Sequence, residues 1–253
     1  MLSILAFIFG ASIGSFAQVV ASRLHVAPIM KGRSKCLSCG EALRASDLVP
    51  VLSYLFLGGK CRYCKSKYGI SALVIELLFG ITFLLLYKLI LIEQSTLLVS
   101  LLWLTYYTIL FIVVGVMALY DRIHSYIPLP FLATFLALCA VMFGRRMFDE
   151  PNITTLLSPF FVAVPFFLIW FVSKGKGLGF GDVILFFGVG AFFGSLQGFA
   201  VLMISVWMGA AYGLYFKYIL SKKKKGVTPI PFVPFIVIAF LIVLFTGVDV
   251  FLL

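Results

Sequence analysis

The chain has 253 residues and a formal net charge of +11, with 63% hydrophobic and only 11% charged side chains. A mean hydropathy of +1.17 excludes a soluble domain with a polar surface. The composition predicts an all-α polytopic membrane protein.

Apolar runs close to the roughly 20 residues a helix needs to cross a bilayer fall near residues 1–22, 70–92, 97–119, 127–143, 156–173, 182–197, 198–219 and 229–251. They predict about eight transmembrane helices, with no internal repeat or low-complexity tract. The first run carries Gly10-x3-Gly14, a small-residue spacing suited to close helix packing. No basic residue precedes it, so it reads as an anchor and not as a cleaved signal peptide. The organisation expected is a first transmembrane helix over 1–22, a cytosolic segment over 23–69, and a seven-helix membrane domain over 70–253.

Lysines and arginines set the orientation, because cytoplasmic loops carry the positive excess. With 23–69 inside, seventeen of the twenty basic residues fall on inside loops; only Lys88, Arg145 and Arg146 lie outside. Eight alternating spans reproduce this pattern and turn both termini outward. The run Lys222–Lys225 sits beside a span, where polybasic segments meet anionic lipid. The lipid bilayer is therefore the expected partner, and nucleic acid is not.

The segment 23–69 contains Cys36-Leu-Ser-Cys39 and Cys61-Arg-Tyr-Cys64, two knuckles separated by 21 residues. So short a segment cannot build a sufficient core unaided, and four thiolates suit one tetrahedral Zn2+ that supplies the missing stability. Disulfides are disfavoured on the reducing side of a membrane. Four sulfur ligands leave no open position for water, so the metal is expected to be structural. Cys139, within an apolar run, reads as a packing residue.

Acids are scarce, and three stand out. Glu76 lies within the second span, Asp121 follows the third in "ALYDRIHSYIP", and Asp182 opens the sixth in "GLGFGD". A carboxylate at membrane depth marks a functional site by default. The span count puts Asp121 and Asp182 at one, cytosolic, end of the bundle. Two carboxylates about 4 Å apart repel by ~4 kcal/mol at an effective dielectric near 20, so such a pair shares one proton. Its charged member can activate water while the other donates to a carbonyl oxygen. Gly177, Gly179 and Gly181 are expected to clear side chains from beside Asp182, letting the backbone turn and a substrate strand approach.

Two readings stay open on the residues alone. One is an aspartic peptidase. The other is a proton-coupled transporter using the same acids, although transporter sites favour mid-membrane positions between repeated halves. His25 and His124 read as hydrogen-bonded interfacial residues.

The order "GASIGSFAQVVASRL", the doubled knuckle around "DLVPVLSYLFLGGKCRYC", then "ISALVIELLFG", "DRIHSYIP", "GLGFGD" and "IPFVPF" resembles the bacterial type IV prepilin peptidases over essentially the whole chain. The resemblance puts Asp121 and Asp182 on the two catalytic aspartates, the second within a Gly-x-Gly-Asp signature, Gly179 to Asp182. It implies an enzyme of the bacterial cytoplasmic (inner) membrane whose catalytic face is cytosolic. Its substrates would be prepilin or pseudopilin precursors serving type IV pili or protein secretion. Cleavage would follow the glycine ending a short basic leader, before a hydrophobic residue. It further implies N-methylation of the new N-terminus with S-adenosylmethionine, with Glu76 in "VIELL" as the candidate residue and a buried pairing to Arg23 or Arg62 as its other reading. Glu41 and Asp47 are expected to form a local acidic patch that meets the basic leader.

The sequence also departs from the family pattern. The knuckles lack proline, Ile184 stands where lysine is frequent, and "SALVIELL" lacks the arginine-tyrosine-proline often found before the glutamate. Zinc requires only the sulfurs, so the first change is mild.

Overall fold

The computed structural model describes residues 2–24, 32–36, 38–93, 96–175, 177–220 and 231–249. His25, Lys31, Leu37, Lys176, Lys222–Lys225 and Ile230, which figure in the sequence argument, lie outside the described residues. In chain order the helices are α1 (Leu2–Arg23), the short α2 (Leu52–Phe56), α3 (Ser71–Glu93), α4 (Leu97–His124), α5 (Leu129–Asp149), α6 (Ile153–Ser173), α7 (Phe180–Phe193), α8 (Ser195–Tyr215) and α9 (Val233–Thr246). Each predicted span has its helix, and no β-strand occurs among the described residues beyond two isolated bridges.

Six of these helices are long and apolar enough to cross a membrane. Helices α7 and α9 are shorter than predicted, at 14 residues each, or about 21 Å at helical rise against roughly 30 Å of hydrocarbon. Glycine sets their C-terminal ends. Gly194 (φ 89°) stops α7 and α8 begins immediately after it, while Gly247 (φ 67°) stops α9. Ser195-Leu196-Gln197 carries no charge, so hydropathy alone does not mark the stop at Gly194 and extends the sixth span to Gln197. Helix α4 instead runs beyond its predicted end and carries Asp121 within its last turn.

The chain divides into two compact units, Met1–Ile112 and Val113–Leu253. In the first, α1 lies against α3 along a stripe of small residues. A Cβ at Gly10 would stand 2.6 Å from the Phe79 carbonyl oxygen, and one at Gly14 would stand 2.9 Å from Phe79 Cβ. Gly80 returns the favour, since its missing side chain admits the ring of Phe7. Without a hydrophobic drive between helices in lipid, this close backbone approach is what supplies dispersion contact.

In the second unit, α7 is the most enclosed helix and packs against α5, α6 and α8. Gly188 admits the ring of Phe135, and Gly190 meets the backbone at Ser158 and Pro159 of α6. The buried Ser158 hydroxyl donates to the carbonyls of Thr155 (2.8 Å) and Gly190 (3.1 Å). Phe135, Phe192, Phe193 and Phe240 close the far end of this core with edge and tilted ring contacts.

Candidate active site and metal cluster

Asp121 is buried, 6% exposed, in the last turn of α4. The turn ends when the Ser125 amide donates to the Asp121 carbonyl at 2.7 Å, with Ser125 itself in the left-handed region at φ 58°. The side chain of Asp121 points to α9, and its Oδ2 accepts the Val233 amide at 3.1 Å. The Phe232 amide lies beside the same carboxyl. Helix α9 has no capping side chain of its own, so Asp121 serves as its N-cap from a distant part of the chain. Phe232 is held in place by stacking on Phe166, with ring centroids 5.7 Å apart.

Asp182 is the third residue of α7, and Gly179 is its N-cap. Its carboxyl folds back toward the N-cap, with Oδ2 3.5 Å from where a Cβ on Gly179 would stand. A Cβ at Gly181 would stand only 3.0 Å from Ile127 Cδ1. The loop that follows Asp121 therefore seats directly on the first turn of α7. That contact brings Asp182 close enough to Asp121 for their charges to interact.

The glycines divide differently from expectation. Gly179 has φ −73°, and a Cβ there would meet Asp182 Oδ2 at an ordinary 3.5 Å. Gly177 is likewise uncrowded, its nearest neighbour being Ser173 at 3.5 Å. The turn out of α6 is made earlier, by Lys174 (φ 50°) and Gly175 (φ 74°). Of the three glycines before Asp182, only Gly181 has a close neighbour, the tip of the Ile127 side chain.

The structure adds residues that sequence reasoning missed. Tyr120, 1% exposed, and the exposed Tyr126 share a hydrogen bond between their hydroxyls. The His124 ring lies on Tyr120, with centroids 4.3 Å apart. The four-residue spacing of Tyr120 and His124 on one helix face was the signal available. The Phe232 and Val233 amides had none, because a backbone donor leaves no mark in the sequence.

The four knuckle sulfurs, of Cys36, Cys39, Cys61 and Cys64, lie within 4.8 Å of one another. Cys36 and Cys64 are 3.8 Å apart, which is the edge of about 3.8 Å expected for a tetrahedron with Zn–S near 2.3 Å. Both knuckles have the same build. The Cys36 and Cys61 amides donate to Glu41 and Ser66, and the Gly40 and Lys65 amides donate back to Cys36 and Cys61. Gly40 (φ 73°) and Lys65 (φ 58°) occupy the same left-handed position. The Cys39 and Ser38 amides draw the Cys36 thiol down to about 5. The Glu41 amide favours a thiolate at Cys39, yet burial and the neighbouring sulfurs push that thiol up to about 12. A second negative charge beside the first lacks only a cation, so the cluster could hold a metal ion such as zinc.

The Bacterial Peptidase A24 N-terminal domain matches residues 8–90, and the Type IV leader peptidase family matches residues 108–214. The prepilin leader peptidase/N-methyltransferase of Bacillus subtilis is 31% identical over 243 residues, covering 92% of this chain and 90% of the relative. The chain belongs to the type IV leader peptidase family. The Pseudomonas aeruginosa relative of the same description is 28% identical over 234 residues, covering 85% of this chain and 71% of the relative. That of Vibrio cholerae is 41% identical over 78 residues, covering 27% and 31%. No solved structure matches.

Within this leader peptidase family member, the first match encloses Glu76 and all four knuckle cysteines, and the second encloses Asp121 and Asp182. Glu76 is buried, and its Oε2 accepts the Val51 amide at 2.8 Å. The expected pairing to Arg62 does not form, because Arg62 donates to Asp47 at 2.7 Å. Val51 is the centre of a γ-turn (φ 64°, ψ −54°) closed by the Leu52 amide on the Pro50 carbonyl at 2.6 Å. A β-branched residue there is strained, and the Glu76 carboxylate holds it. Asp47 is not part of an exposed acidic patch, since its side chain is 2% exposed. Burial would raise its carboxyl, but hydrogen bonds from Arg62 and the Arg44 amide hold it below the usual range. Cys139 is buried in α5 as a packing residue.

Proposed function

We propose that this protein is an aspartic endopeptidase of the bacterial cytoplasmic membrane that removes the basic leader from prepilin-like precursors. Asp121 and Asp182 form the catalytic pair. One carboxylate takes a proton from water as that water attacks the carbonyl carbon of the glycine that ends the leader. The protonated partner donates to the carbonyl oxygen, and collapse of the tetrahedral adduct passes a proton to the leaving amine. The closeness of Asp121 to Asp182 at one end of the Val113–Leu253 unit is the observation that carries this reading. Gly179 and Gly181 frame Asp182, and the α9 N-terminus fixes Asp121.

The same protein methylates the amine that cleavage exposes. S-adenosylmethionine supplies the methyl group when bound. Glu76, engaged with the Val51 amide, acts as a positioning residue that holds the turn over Pro50–Leu52. Cys36, Cys39, Cys61 and Cys64 hold a structural zinc that gives the segment 23–69 its shape. The names of the relatives, which pair leader peptidase with N-methyltransferase, support this half of the reading.

Mass spectrometry of a candidate prepilin incubated with the purified protein and S-adenosylmethionine tests both halves together. The expected product ends its leader at glycine and carries one added methyl on the new N-terminus. An intact precursor, alongside proton flux that depends on the same acids, would replace this reading with a transporter.

A further inference from the structure

The two knuckles share a backbone pattern but not the side chains that meet their sulfurs. In the first, the Cys36 amide donates to the Glu41 carbonyl and the Leu43 amide to the Ser34 carbonyl, flanking the Lys35–Ala42 bridge. In the second, the Cys61 amide donates to Ser66 at 2.8 Å and the Tyr68 amide to Gly59 at 2.7 Å, flanking the Lys60–Lys67 bridge. Glu41 therefore corresponds in register to Ser66, and Leu43 to Tyr68. Side chains alternate between the faces of such a pairing, so Ser66 and Tyr68 share the face of Cys61, one directly opposite it and one on the diagonal. The second knuckle thus has hydroxyls at both positions where the first has none.

Ser66 already meets the sulfurs, its Oγ lying 3.1 Å from Cys64 Sγ and 3.8 Å from Cys36 Sγ. The Tyr68 hydroxyl does not. It is closed to solvent and has no hydrogen-bond partner among the described residues, although it lies beside the sulfurs of Cys61 and Cys36. A buried donor left unpaired is costly.

The state of the sulfur accounts for the missing bond. A neutral thiol is a weak acceptor, whereas a metal-bound cysteine is a thiolate and accepts a charge-assisted hydrogen bond. Cys61 is fully buried, so solvent does not supply that donor. Four thiolates on one divalent ion also keep a net negative charge, which a neighbouring O–H partly offsets. Loading the cluster gives the Tyr68 hydroxyl the acceptor it lacks.

On the reading that the four cysteines hold zinc, we infer that Tyr68 donates its hydroxyl hydrogen to the Cys61 sulfur of the metal-bound cluster and thereby helps retain the ion. Tyr68 is a positioning residue, acting on the metal through its ligand.

Zinc affinity of the purified full-length protein in detergent, measured by competition with a chromophoric chelator, tests the inference. Tyr68→Phe keeps the ring and is expected to weaken zinc binding by about tenfold or more, the usual scale for removing a group that supports a metal ligand. In cobalt-loaded protein the same variant should move the sulfur-to-cobalt charge-transfer band to longer wavelength, because a thiolate relieved of a hydrogen bond gives up its electron more readily. Altered packing alone leaves that band in place. Tyr68→Leu puts the first knuckle's residue at the equivalent position of the second, and its zinc affinity decides the matter should Tyr68→Phe fail to fold. Wild-type affinity in the folded variant overturns the inference while the zinc reading stands, as does a weakened affinity with an unmoved cobalt band in Tyr68→Phe. A wild type that takes up no zinc overturns both.

Discussion

Asp121 accepts the backbone amide of Val233 at 3.1 Å, across 112 residues of sequence. The same carboxyl caps α9 and lies within electrostatic reach of Asp182. Helix caps and helix dipoles stabilise negative charge at this position, so the architecture that orients Asp121 also sets its electrostatic surroundings.

Separating the two jobs is the first test. Asp121→Asn keeps an oxygen for the Val233 amide and loses the ionisable group. It should remain folded while cleavage falls by roughly 10²–10⁴-fold, the usual scale of acid–base catalysis. Asp121→Ala should lose cleavage and also ~1 kcal/mol of stability with the cap. Asp182→Asn should match Asp121→Asn in cleavage. Leader removal measured by mass spectrometry, beside thermal unfolding in detergent, reads both quantities. Processing retained by either Asn variant would end the paired-acid mechanism.

The motif glycines should not be equivalent. Gly181→Val drives a side chain into Ile127, which a Cβ alone approaches to 3.0 Å. The resulting shift of Asp182 should lower kcat/KM by up to about 10²-fold, as misplacement near 1 Å does. Gly179→Ala meets only ordinary contact and should cost much less. A reversed order would mean that the free space at Gly179 is reserved for substrate.

Metal removal should act on the cysteine segment first. Chelation, Cys36→Ser or Cys61→Ser should open the segment 23–69 to limited proteolysis and impair methylation more than cleavage, since a structural zinc in the proposed site contributes folding energy. Elemental analysis of the wild type should find one zinc per chain. Absence of metal from active protein would refute a structural role.

The Asp47–Arg62 pair gives a pH test with a definite sign. Because its folded pKa is depressed, Asp47 contributes stability that is fully present above the ordinary carboxylate value of about 3.9 and is lost as pH falls through the lower folded value. The excess proteolysis of Asp47→Asn over wild type should therefore stay level from pH 8 to about 5 and close only below about 3.9. An excess that already fades near neutrality would assign the effect to another group.

Close packing of α1 on α3 can be broken by one side chain. Gly10→Leu has no room against Phe79 and Phe83 and should destabilise the Met1–Ile112 unit by ~1–3 kcal/mol, the usual cost of overpacking. Thermal unfolding followed by intrinsic fluorescence measures it.

Much of this was legible in the chain itself. Hydropathy located every long helix because a bilayer demands about 20 consecutive apolar residues whatever their neighbours. The Cys-x2-Cys spacing marked a four-sulfur cluster because each knuckle is a local turn. The scarcity of acids singled out Asp121 and Asp182. Boundaries were less legible: no charge marks the stop at Gly194, and only the positive φ of that glycine ends the helix.

What the tertiary structure decided are relationships between distant backbone and side chains. That Glu76 holds Val51, that Arg62 is taken by Asp47, that Gly181 rather than Gly177 or Gly179 is crowded, and that α9 begins on Asp121 all depend on which surfaces meet in space. Local sequence determines how each segment folds against water or lipid. The partner that satisfies a buried amide or fills the place of a missing Cβ is chosen only when the helices pack.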